Sequence, residues 1–159
     1  MAIDTHIKFD GVEGEATHVD HKGEIAVLSW EWGVHNASTV QAGGGSGKGK
    51  AQPGALTLMH VYDKASPVLA KKCAQGMHFK EAVLTAAKSG EGQKDFLKVT
   101  MKEVFITSVA PSAGGDGDIV ETVSMSYGEI EFAYKPQDAK GGLGGEVKFG
   151  WNVKTTAIT

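Results

Sequence analysis

Cysteine is nearly absent from this sequence. Cys73 stands alone, so no intramolecular disulfide can form and nothing in the chain requires an oxidising compartment during folding. Long apolar runs are missing too: no stretch approaches the roughly 18 residues a spanning helix needs. The start, Met1-Ala2-Ile3-Asp4-Thr5-His6, has no charged segment leading into an apolar one. A chain made in the cytoplasm and exported, if at all, without a cleaved signal is the expectation. Excess charge of one sign is absent as well. With 16 basic and 19 acidic side chains spread along the sequence, there is no basic patch for nucleic acid and no polybasic membrane anchor. Only four prolines interrupt 159 residues, and 41% apolar content suits one domain spanning 1–159.

What the sequence has instead is glycine, 22 of them, and alternating apolar stretches, which together predict a mostly β domain joined by loose turns. Seven strands are expected, at about 3–10, 24–34, 54–62, 77–87, 95–109, 119–135 and 145–156, with one helix at about 66–75. In the second strand Ala26, Leu28, Trp30 and Trp32 share the predicted core face, leaving Ile25, Val27, Ser29 and Glu31 outward. In the last, Val147, Phe149, Trp151 and Val153 point in, and Lys148, Asn152 and Lys154 out. The two longest strands change apolar phase partway. Leu97, Val99 and Met101 give way to Val104 and Ile106; Val123, Met125 and Tyr127 give way to Ile130, Phe132 and Tyr134. Paired as a hairpin around a tip at Gly114–Asp118, they would put both phase changes at one place. A bend there, eased by Gly128, would turn the corner of a barrel.

Around the helix, Ser66 is the expected N-cap, Pro67 suits the first helical position and Gly76 offers the left-handed residue that ends it. Cys73 lies on the stripe of Leu69 and Val68 and reads as a packing thiol. Residues 35–53, holding Gly43-Gly44-Gly45-Ser46-Gly47-Lys48-Gly49-Lys50, lack apolar periodicity and read as an extended flexible loop. Neither Gly47-Lys48 nor Gly49-Lys50 precedes Ser or Thr, so the loop is no phosphate cradle, and Lys48 breaks a Gly-x-Ser-x-Gly pattern. His18, Asp20 and His21 are close in sequence, but a metal needs three or four converging ligands, and they read as a solvated turn. His6, His35, His60 and His78 are scattered singly. Glu129 and Glu131 read as an outward strand face. No catalytic residue, cofactor or metal is expected.

Three segments carry a resemblance. Val27-Leu28-Ser29-Trp30-Glu31-Trp32-Gly33-Val34, then Asp63 through Gly76 with His78-Phe79-Lys80-Glu81-Ala82-Val83-Leu84, and Glu121-Thr122-Val123-Ser124-Met125-Ser126-Tyr127 together resemble the Hcp family, tail-tube proteins of bacterial type VI secretion systems. The resemblance spans nearly the whole chain. It implies a β-barrel of two packed, mainly antiparallel sheets with one short flanking helix, a non-catalytic subunit that assembles into hexameric rings. It further implies rings stacked into a tube, with sheath and spike proteins as neighbours and effector proteins carried in the lumen, and export through the system itself. The loop bearing Gly43, Gly44, Gly45, Ser46, Lys48 and Lys50 would meet the adjacent ring. Two residue-level arguments point the same way: long strands leave edges that another copy can cover, and outward Ile25, Val27, Met59 and Val61 would add contact area. The alternative is a barrel that holds a small molecule in its interior. The bulk of Trp30, Trp32, Phe132, Tyr134, Phe149 and Trp151, enough to fill a small barrel, argues against it.

Overall fold

Strand β1 (Ile3–Phe9) buries Ile7 and Phe9 on one face, and its neighbours continue that face around a closed circuit. The computed structural model describes residues 2–36, 51–89, 92, 94–140 and 142–159. Along them run β2 (Ile25–Glu31), β3 (Val34–Asn36), β4 (Ala51–Pro53), β5 (Leu56–Val61), helix α1 (Ser66–Gln75), β6 (His78–Lys88), β7 (Asp95–Ala113), β8 (Ile119–Tyr134), β9 (Val147–Asn152) and β10 (Ala157–Ile158). The main sheet runs β10-β9-β8-β5-β2-β1-β6-β7, and β7 pairs back onto β8. Six antiparallel strands thus close into a barrel, with β9 and β10 extending it and β3–β4 forming a separate two-stranded sheet.

The interior is filled by branched aliphatic and methionine side chains, among them Ile7, Ile25, Leu56, Leu58, Leu84, Val99, Met101, Val123, Met125 and Ile130. Burying each of these large side chains contributes about 1.5–3 kcal/mol. The aromatics expected to fill the barrel do so only in part. Trp151 is buried, and Trp30, Trp32, Phe132 and Phe149 pack half-buried against the core, but Tyr134 is exposed and meets Phe96 edge-on. Val147, expected inward, is 64% exposed because β9 starts beyond the end of the core.

The corner is where the two phase changes meet. Lys102 pairs with Glu129 and Val104 with Tyr127, which sets Glu103 against Gly128. Glu103 adopts a left-handed φ of 53°, uncommon for a residue with a side chain, and a Cβ on residue 128 would lie 3.3 Å from its Cβ. At this point β8 changes partner: on the edge away from β7 it pairs with β5 up to Met125 and with β9 from Glu129. One 16-residue strand therefore belongs to the barrel wall and to its extension.

In β2 the face assignment holds for one half only. Ile25 and Val27 are buried and Ala26 and Leu28 exposed, the reverse of the expectation, whereas Trp30 and Trp32 do pack on the core. A bulge explains both. Val27 pairs with His60 but Ser29 with Met59, so Leu28 is an extra residue that flips the alternation behind it.

Helix α1 begins at Ser66, with Ala65 at the cap position and no side-chain cap bond. The expected Ser66 N-cap is therefore corrected. Ser66 is fully buried, and its Oγ accepts the N–H of Asp63 while Asp63 Oδ1 accepts that of Ala65, so the turn before the helix satisfies itself. At the far end Gly76, φ 65°, donates to the Cys73 carbonyl and Met77 to that of Lys72, a paired closure that uses two otherwise orphaned acceptors. Leu69 and Ala65 bury the inner stripe, Cys73 is half-buried beside them, and Val68 is exposed. The span read as one irregular loop is bounded by structure, since 34–36 pairs with 51–53; Gly43, Gly44, Gly45, Ser46, Lys48 and Lys50 lie outside the described residues.

Candidate functional site

The outside of the β2–β5 wall carries an exposed apolar strip. Leu28 is pushed outward by the bulge and is 59% exposed, and on the neighbouring strand Met59 and Val61 point the same way, followed by Tyr62. A shallow groove of about 210 Å³ crosses it, lined by Ala16, Ala26, Leu28, Val61 and Tyr62 with Glu15 and Asp63 at its rim. Two of the four residues expected outward here are instead core: Ile25 and Val27 face inward, and Leu28 takes their place.

A second, polar groove of about 460 Å³ lies over the β6–β7–β8–β9 wall, where Glu81, Lys102, Glu129 and Asn152 converge. Here Asn152 donates to Glu129; on the neighbouring surface Lys148 bonds to Glu146, which raises its pKa with a smaller contribution from the charge of Glu131, and Lys154 pairs with Glu103 and holds that carboxyl below its ordinary value. Both Glu129 and Glu131 face outward. Exposed pairs of this kind add little to stability and chiefly shape the surface charge.

Two titratable clusters were not visible in the sequence. His60 of β5 and Glu121 of β8 stand opposite each other and meet at 2.8 Å inside the barrel, 0% and 1% exposed. The pair is 61 residues apart in sequence, and only the β5–β8 register brings it together. The second cluster joins His6, read as a lone histidine, to His18 and His21, read together with Asp20 as a solvated turn; that reading is corrected for His21, which is buried. His6 stacks on His21 at 4.7 Å, and His18 is tilted against both at 5.3 and 5.4 Å. Burial lowers the pKa of His6, and its two neighbours lower it further. For His21 burial works in the same direction but is outweighed by hydrogen bonds to Glu24 and Asp95, so its pKa is raised.

Every side-chain bond made by His21 and His60 goes to a carboxylate, so neither imidazole activates a hydroxyl or thiol. Among the described residues no group of His, Cys, Asp and Glu has the arrangement to hold a metal, and no helix is long and apolar enough to cross a membrane.

The comparisons with known proteins agree with the fold. The family model described as "Type VI secretion system effector, Hcp" matches residues 6–134. The chain belongs to the Hcp family. Its sequence is 38% identical to Protein hcp1 of Pseudomonas aeruginosa over 157 residues, 97% of each chain. Among solved structures it matches a type six secretion system protein at a TM-score of 0.92 and 33% identity, covering 99% of this chain and all of that one. Hcp1 from Salmonella typhimurium matches at a TM-score of 0.83 and 35% identity over the full length of both. The family resemblance read from the segments around Trp30, Pro67 and Val123 is correct, and this Hcp-family chain is a protein of the type VI secretion machinery.

Proposed function

We propose that the chain is a structural, non-catalytic subunit of the type VI inner tube: six copies form a ring, rings stack, and the channel carries effector proteins past the sheath and behind the spike. The observation that carries this reading is the apolar strip at Leu28, Met59 and Val61. It lies on the outer wall of a barrel whose core is already complete, so its burial needs a neighbour rather than the chain's own fold. A copy that covers this strip with a different surface of its own makes a head-to-tail contact, which closes into a ring when the rotation per subunit divides a full turn. The chain would be made in the cytoplasm and leave through the assembled machine.

Replacing Leu28 with Glu tests the interface. The side chain is mostly in water in the single subunit, so the fold should lose no more than about 0.5 kcal/mol. A carboxylate in a covered strip should dissociate the ring. The mass in solution should drop to that of the 16.7 kDa chain while the far-ultraviolet circular dichroism stays that of the parent. An assembly of unchanged mass and dilution stability would remove the strip from the interface.

A further inference from the structure

His21 sits in the loop joining β1 to β2 with both ring nitrogens engaged. Nδ1 lies 2.9 Å from Glu24 Oε2, and Nε2 lies 3.0 Å from Asp95 Oδ1 at the start of β7. At neutral pH a carboxylate has no proton to donate, so both contacts are hydrogen bonds only if both nitrogens carry hydrogen. A neutral imidazole can satisfy one of them at most. We propose that His21 is a standing imidazolium that latches the β1–β2 loop to the start of β7, and that the latch opens when the ring loses one proton.

The surroundings fit that role. On the loop, His18 Nδ1 accepts the N–H of Asp20, which puts the His18 proton on Nε2. From β1, His6 stacks face to face on His21 at 11° between planes, and Asp4 lies on the same strand. Opposite His6, β2 and β6 present Ala26 and Thr85, without charge. Lys22 and Lys94 flank His21 and Asp95 in sequence and make no hydrogen bond or ion pair with either residue. Glu24, Asp95 and the imidazolium thus leave one net negative charge beside His6. The loop's other end is pinned separately: Glu15 accepts the backbone N–H of Lys64, ahead of α1, at 2.8 Å. Opening at His21 would free one end of a segment held at two.

The direction of the pH effect follows from the two histidines. With its folded-state pKa raised, His21 contributes stability that is complete below about pH 6.5 and is lost as pH rises through the raised value. For His6, whose folded-state pKa is lowered, the sign is opposite: stability falls as pH drops from about 6.5 through the lowered value, because the unfolded chain takes up the proton first.

Imidazole nitrogen resonances of the full-length protein, followed by ¹H–¹⁵N NMR from pH 5 to 9, test the latch. At pH 7 both His21 nitrogens should report attached protons, and the ring should titrate above about 6.5. In Asp95→Asn the midpoint should fall by about one pH unit or more. Amide exchange at Gly14, Ala16 and Gly23, which bond within the loop, should accelerate above the His21 midpoint beyond its ordinary pH dependence, and should not do so in His21→Gln. One bare nitrogen on His21 at pH 7 in the parent protein, or an unmoved midpoint in Asp95→Asn, would overturn the proposal. The parent spectrum alone decides the protonation state should a variant fail to fold.

Discussion

Glu121 and His60 are the residues on which the barrel interior is most exposed to error. The carboxyl group of Glu121 and the imidazole of His60 are fully buried with one bond between them, and His60 Nδ1 has no partner among the described residues. Taking two such groups out of water costs several kcal/mol, offset only by their mutual contact. Glu121→Leu alone should destabilise by about 3–5 kcal/mol, since it strands the imidazole. Glu121→Leu combined with His60→Leu should return stability to the parent value or above it, read as the urea midpoint at pH 7. If the two substitutions simply add, the residues do not act as a pair. Nothing in the sequence announces this contact or the stacking of His6 on His21. Each depends on strand register or on how a loop folds back, and single histidines carry no signal of either.

At the scale of elements, periodicity served well wherever the backbone is regular. All seven expected strands and the helix exist, because alternation over five or more residues is hard to produce otherwise. The short β3, β4 and β10 are too brief to show a period. What alternation could not convey was the bulge at Leu28: one inserted residue reverses every face assignment on one side of it, so Ile25 and Val27 went to the wrong side while Trp30 and Trp32 did not. The corner at Glu103 and Gly128 was legible because both partner strands change phase opposite one another. Helix α1 shows the same mixture. Gly76 acts where its backbone preference puts it, and Pro67 stands second in the helix rather than first, because Ser66 lies inside the helix and supports the turn ahead of it. Ser66→Ala should cost about 1–3 kcal/mol by leaving a partly buried N–H unpaired. Pro67→Gly should cost roughly 1 kcal/mol through chain entropy. Thermal melts distinguish them, and neither should change the assembly, because the helix packs on its own barrel. A change in particle mass with either variant would place α1 in an interface.

For the whole molecule, closure changes the argument for assembly. Six strands seal one another, so the barrel needs no second copy to pair its backbone, contrary to the expectation drawn from strand length. Among the described residues, unpaired edges include β7 beyond Phe105, where β6 stops, the outer side of β10, β9 ahead of Gly150 and the two outer sides of the β3–β4 pair. The first is already blunted by a register shift after Ile106 and by Pro111, which are common guards against casual pairing. In the proposed ring, side chains on the barrel wall, more than open backbone, would supply the driving force, at about 25 cal/mol per Å² of apolar surface covered. The family was legible in the sequence because its segments coincide with the second strand, the helix with β6, and β8, which build the corner and wall.

The central claim is that copies of this closed barrel join around a hollow axis. Negative-stain electron microscopy of the purified protein at micromolar concentration, with its mass measured in the same buffer, tests that most directly. The account predicts annular particles with an open centre and a mass six times that of the 16.7 kDa chain. Solitary particles of the single-chain mass, with no annuli in the field, would contradict it.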